Sequence, residues 1–352
     1  MPSRPEQQPV GGTIYYPPSF LDRFMDFIER LPIPYWLTYL VFMIVQSTIV
    51  HILAWMDGWI PAYTINPILL IFPLWQWLPL AIMTYVDSVS IQAMSTFRPL
   101  LDVEENELQR LKYQFATMPS RGVILSSVTW GVLYVILNYL TYDTIYVAYG
   151  LDNFLSIVIM IEGLIAFLTG SAIYYHSLRQ LSLIDHTVKL AKQFNMFRLD
   201  PVYAFSRVTS LIGVAWMIML SLTLLLFPIQ LASGLLIAIL ILQVALAVAA
   251  FVLPLWFVHR RLESEKLKLL AEFNRQVEST IAKLHQCLGE NEMGQVTQLK
   301  DALLGLAAEH EVLNRIPTWP WRTGTLTGFL SAAVLPIILF LIQLIIQRLL
   351  GK

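Results

Sequence analysis

Hydrophobic positions along this chain gather into seven long runs: Tyr35–Met56, Ile65–Val86, Val123–Tyr142, Phe154–Tyr175, Val208–Ile229, Leu235–Val258 and Leu326–Ile346. Each holds about 20 residues, the length that carries an α-helix across a hydrocarbon core. The long gaps between runs also read as helical. Leu108, Leu111, Phe115 and Met118 recur at spacings of three and four, and Leu181, Ile184, Val188 and Ala191 continue the fourth run as a stripe. Leu270, Phe273, Val277, Leu284 and Leu288 mark a long helix after the sixth run, and Gly289–Gly294 breaks it. Val296, Leu299, Leu303, Leu306 and Leu313 then form a seam suited to helix pairing. The expected fold is all-α: a polytopic membrane protein with seven transmembrane helices and a cytosolic helical domain built from the inter-span extensions.

The chain divides accordingly. Residues 1–18 are a Pro-rich polar tail expected to be disordered, and 19–34 an interfacial helix with Ser19 as N-cap and Pro32 and Pro34 as its stop. Phe20, Phe24, Phe27 and Leu31 share one face of that helix, which suits either the inner leaflet or a seat on the cytosolic domain. Residues 35–258 carry spans one to six, with helical cytosolic loops at 87–122 and 176–207. Asp102 and Glu105 suggest a capping box, and Asp200-Pro201 a second helix start. Residues 259–315 form a cytosolic helical hairpin, and 316–352 a turn leading into the seventh span.

Charge orients this plan. Of the 23 Lys and Arg, 21 fall in alternate gaps, on one side of the spans. The positive-inside bias places the N-terminus in the cytoplasm and the C-terminus outside a cell membrane crossed seven times. The first span is expected to act as an uncleaved insertion signal, since the tail has no apolar stretch resembling a cleaved one. The chain is 57% hydrophobic and only 13% charged, with a net charge of −1, which offers nucleic acid no cationic face and makes the lipid bilayer the first partner. Cys287 is the only cysteine, so no disulfide framework is available.

Catalytic patterns are absent: there is no HExxH, CxxC, GxSxG, Walker A or GxGxxG stretch. His51 lies toward the outer end of the first run and His176 at the inner end of the fourth, too far apart in depth for a haem pair. No run contains a Lys to hold retinal. The expectation is a non-enzyme without cofactor or metal.

A few residues stand out. Glu162 is the one ionisable residue deep in a run, where a charge costs roughly 2.5–3.5 kcal/mol on insertion scales. It either binds a cation, relays a proton or meets a polar ligand, or is a protonated acid hydrogen-bonded to a neighbouring helix. His51 is its conceivable partner. Gly324, Gly328 and Ala332 open the seventh run with a small-residue stripe that allows close helix approach, within the chain or between the subunits of a homo-oligomer. Pro336 predicts a kink. Gln343 and Gln347 are candidates for a pore or ligand site. Pro317 and Pro320, with Trp319 and Trp321, mark a sharp turn before the last span, read as an anchored turn in preference to a gating hinge.

This plan resembles the seven-helix ion-channel superfamily that includes insect odorant and gustatory receptors. Its members have an inside N-terminus, an outside C-terminus, long inner extensions and a split last helix. Residues 295–314 would stand for the cytosolic half of that helix and Leu326–Ile346 for the pore-lining half. Ile337-Ile-Leu-Phe-Leu-Ile-Gln343-Leu344 is similar to the family's closing apolar run, whereas its Thr-Tyr pair is replaced by Val334, Leu335 and Pro336. The resemblance implies a channel-like or ligand-responsive membrane protein conducting ions as an oligomer. A non-conducting receptor or assembly scaffold, and a proton-coupled carrier using Glu162, are the alternatives.

Overall fold

The computed structural model describes residues 16–143, 146, 150, 153–192, 194, 196–197, 199–226, 234–290 and 293–349, without the side chains of 153, 234–237, 239–240, 293, 344 and 347. Residues 1–15 of the N-terminal tail, 291–292 of the hairpin break and the last three residues lie outside that description. The described chain is all-α, with helices α1 Phe20–Glu29, α2 Tyr35–Met56, α3 Ile71–Phe97, α4 Glu105–Ala116, α5 Ser120–Tyr142, α6 Asn153–Lys189, α7 Asp200–Leu226, α8 Gly234–Gly289, α9 Met293–Arg315 and α10 Thr323–Leu349. Seven of these, α2, α3, α5, α6, α7, α8 and α10, are long and apolar enough to cross a membrane.

Helices α3, α6 and α7 form the middle of the bundle: α2 packs on α3, α5 on α6, and both α8 and α10 on α7. At the end rich in Lys and Arg, α3, α6 and α8 run on past their apolar stretches to Phe97, Lys189 and Gly289. There, with α4, they bury a core containing Phe97, Leu108, Leu111, Phe115, Ile184, Val188 and Phe205. The Phe205 ring centroid lies 4.8 Å from that of Phe97 and 5.8 Å from that of Phe115. The stripes Leu108–Met118 and Leu181–Ala191 are buried as their periodicity predicts. Helices α8 and α9 pair as a hairpin, with Phe273 stacked on His310 at 5.2 Å.

Ser19 caps α1, with Asp22 completing a capping box, and the helix buries Leu21, Asp22, Met25 and Ile28. Phe20 and Phe27 remain 52% and 57% exposed. The face is chosen by Asp22, whose Oδ2 accepts from the Ser19 N–H and from the Met118 N–H within the α4–α5 connection, so this side must turn inward. The capping box at Asp102 does not form. Helix α4 starts at Glu105 without a side-chain cap, because Asp102 pairs with Lys192 and Glu105 with Arg98. An ion pair across elements displaces the local cap there.

Candidate functional site

Polar side chains inside the bundle collect at two levels. In the midst of the spans, Glu162 on α6 is 7% exposed. Its Oε1 accepts from Gln46 Nε2 of α2 at 2.9 Å. The same amide nitrogen donates to Gln76 Oε1 of α3 at 3.0 Å, and Trp77 Nε1 donates to Gln46 Oε1 at 2.5 Å. One acid, two amides and an indole thus tie three helices together in a region where no water competes for their hydrogen bonds. His51 is not part of this cluster. It is buried and engaged elsewhere: Nδ1 donates to Ser47 O at 2.7 Å, and Nε2 accepts from the Asn66 N–H at 3.1 Å. That pairing fixes the neutral tautomer and ties the loop before α3 to α2.

The second level lies where the apolar runs of α3 and α6 end. Asp87 and His176 are 0% and 1% exposed, and His176 Nε2 stands 2.6 Å from Asp87 Oδ1. Gln180 Nε2 donates to the same carboxylate oxygen and to Phe115 O, both at 2.9 Å. The network therefore joins α3, α6 and α4 where the spanning bundle meets the inner core. His176 Nδ1 has no partner among the described residues, and a cavity of about 10 Å³ lies against this ring, walled by Ile82, Met83, Ile173 and Ile212. Asp87 escaped the sequence reading because it directly follows the last apolar residue of its run. For His176 the sequence yields only that it stands too far in depth from His51 to share a haem.

Below this level, Arg179 caps α4. Its Nη1 donates to the carbonyls of Gln114 and Thr117, each at 2.6 Å, and its Nη2 to the Tyr16 hydroxyl at 2.5 Å. Tyr16 in turn donates to Thr117 O at 2.7 Å, which latches the segment before α1 onto the α4–α5 connection. Burial pushes the Tyr16 hydroxyl up to about 12, with Arg179 pulling the other way. A folded pKa above the unfolded value of about 10 means that the latch contributes fully below about pH 10 and is lost as pH rises toward 12. Tyr16→Phe is expected to abolish that alkaline loss, as read by melting temperature at about pH 9 and about pH 11. An equally alkali-sensitive Phe variant would dismiss the latch.

At the last span, the turn is anchored. Trp319 stacks on His259 of α8 at 3.8 Å and on Trp321 at 4.3 Å, and Trp321 stacks on Phe251 at 5.3 Å. Lys266 Nζ donates to Asn314 O and Ile316 O, both at 2.8 Å, closing the end of α9. Pro320 is buried and Pro317 exposed. Helix α10 runs unbroken through the buried Pro336. Of its small residues, Ala332 packs against the main core, whereas Gly324 and Gly328 have nothing within 4 Å of where a Cβ would stand. The close contact of α10 is made by Phe329, stacked on Phe251 at 4.2 Å and seated against Gly213 of α7. Gln343 donates to Leu224 O of α7 at 2.5 Å, bridging two helices, and the Gln347 side chain lies outside the described residues.

Among the described residues, no group of three or more His, Cys, Asp and Glu is placed to hold a metal ion. No protein-family model, no curated protein and no solved structure matches the chain. What the geometry supports by itself is a multi-pass helical protein of membrane type, with buried polar ties at mid-span and at the Lys- and Arg-rich end of the spans.

Proposed function

We propose that this chain is one subunit of an oligomeric, channel-like or ligand-responsive membrane protein whose conduction path runs between copies along α10. The observation that carries this reading is the uncovered face of α10. Gly324, Gly328, Ser331, Leu335, Ile338, Ile342 and Ile345 recur at spacings of three and four, and all are exposed. Such a seam, narrow at one end and apolar at the other, suits packing against equivalent helices around an axis. The anchored turn links it rigidly to the α8–α9 hairpin, which offers a route by which a ligand or partner at the hairpin moves the last span. The resemblance to the seven-helix channel superfamily supports the same arrangement, with the N-terminus cytoplasmic and the C-terminus outside. The reading includes no enzymatic step, cofactor or metal.

Purified protein reconstituted in liposomes should pass ions. With Cys287→Ser as background, a thiol-reactive charged reagent should block flux through Ser331→Cys. It should leave Val128→Cys unaffected, since Val128 is exposed on α5, away from the proposed path. Equal block at both positions would place the path elsewhere. Folded, monodisperse protein without flux would leave the non-conducting receptor or scaffold in its place.

A further inference from the structure

Helix α1 is held between the starts of two spans. At its N-terminal end the Ser19 N–H donates to Met118 O at 3.1 Å, and Pro18 bridges to Pro119, the residue before α5. At its C-terminal end only residues 30–34 separate it from α2. Its 10 residues, about 15 Å of helix, therefore run from the first turn of α5 toward the first turn of α2, both at the Lys- and Arg-rich end of the bundle. On the inner side Leu21, Met25 and Ile28 join Tyr39, Met83 and Val123 in one buried cluster.

The outer side carries two stripes. Phe20 and Phe27, two turns apart, form one, and Arg23 and Arg30, also two turns apart, form the next; all four are exposed. Among the described residues neither arginine side chain has a partner, whereas Asp26 and Glu29 of the same helix are both engaged. The roll of the helix is set by Phe24, which lies on the far side of the phenylalanine stripe from the arginines. It packs on Trp77 at 6.2 Å, and Trp77 donates to Gln46 in the mid-span tie. The aromatic edge of α1 thus turns toward the middle of the spans and the arginine edge away from it. An amphipathic helix in a membrane surface takes this roll, with rings at the acyl boundary and guanidinium groups among the phosphates. Its surroundings are continuous with that surface. Trp36, Leu40 and Ile44 on α2 and Ile124, Leu125 and Val128 on α5 are exposed apolar residues of the two flanking spans. An arginine fork matches a pair of phosphate oxygens, so charge complementarity selects an anionic headgroup for this face.

We infer that the outer face of α1 is a binding site for anionic phospholipid, in which Phe20 and Phe27 rest on the upper acyl chains and Arg23 and Arg30 hold the headgroup phosphates. The leaflet is the one at the Lys- and Arg-rich end, and the site stands whether or not the chain conducts. The test uses full-length protein in vesicles, with Cys287→Ser as background and Phe27→Cys carrying a small fluorophore. The probes are phosphatidylglycerol and phosphatidylcholine, each with a nitroxide near the glycerol end of one chain. Both should quench the fluorophore, and phosphatidylglycerol should do so at much lower mole fraction, by about fivefold for each arginine and roughly 25-fold for the pair. Arg23→Gln with Arg30→Gln should make the two lipids equal, and Arg23→Glu with Arg30→Glu should reverse their order. Helical circular dichroism matching the parent shows that these exposed changes leave the fold intact. Absence of quenching by either lipid would mean that protein or water covers the face, and would overturn the site. Equal quenching in the parent, or a preference for phosphatidylglycerol that survives in the glutamate variant, would equally overturn it.

Discussion

His176→Leu is expected to cost about 3–5 kcal/mol of stability, the loss usual when one partner of a buried ionisable pair is removed. The Asp87 carboxyl is fully buried, and its Oδ1 stands 2.6 Å from the ring nitrogen that this change deletes. No solvent replaces it, since Gln180 and the helices around it close the site. The double variant Asp87→Leu with His176→Leu should recover most of the loss, because two apolar groups of similar volume leave no buried acid that has lost a hydrogen bond. Thermal and chemical unfolding in detergent, followed by helical circular dichroism, reads both. A single variant within about 1 kcal/mol of the parent would mean that the pair does not hold α3 to α6.

What could be read from the chain divides along physical lines. The seven spans were legible because bilayer burial demands about 20 apolar residues without interruption. The inner core was legible through Leu108, Leu111 and Phe115, and through Leu181, Ile184 and Val188, whose spacing survives whatever they pack against. Glu162 stood out because a carboxyl in an apolar run is costly. Its partner did not: Gln46 and Gln76 are uncharged, so neither disturbs the hydropathy of its run, and only the fold brings them to one acid. Which face of α1 packs inward was not legible because two stripes compete, and the hydrogen bonds of Asp22 to a distant backbone decide between them. The same holds for the tight glycines. Gly324 and Gly328 have the spacing of a close contact and face away from the chain, while Gly163, Ala166 and Gly170 on α6 have similar spacing and face inward. Periodicity identifies a flat stripe without telling which neighbour it meets.

Gly170 is the sharpest instance. A Cβ there would stand 2.8 Å from the Trp75 carbonyl oxygen, so α6 and α3 touch backbone to side-chain position with no space between. Gly170→Ala is expected to cost about 1–3 kcal/mol and Gly170→Leu more, because the obstacle is backbone and only a shift of a whole helix relieves it. Gly122→Ala provides the contrast. Its added methyl would overlap the Tyr175 hydroxyl, a worse clash in distance but with the far end of a half-exposed side chain. Tyr175 turns aside, and the cost should stay under about 1 kcal/mol. Melting temperatures of the two alanine variants in one detergent decide the matter. Gly122→Ala proving the more damaging would mean that the α3–α6 approach tolerates a side chain, and that the bundle is held at its middle by the Gln46–Glu162 tie and not by close backbone packing.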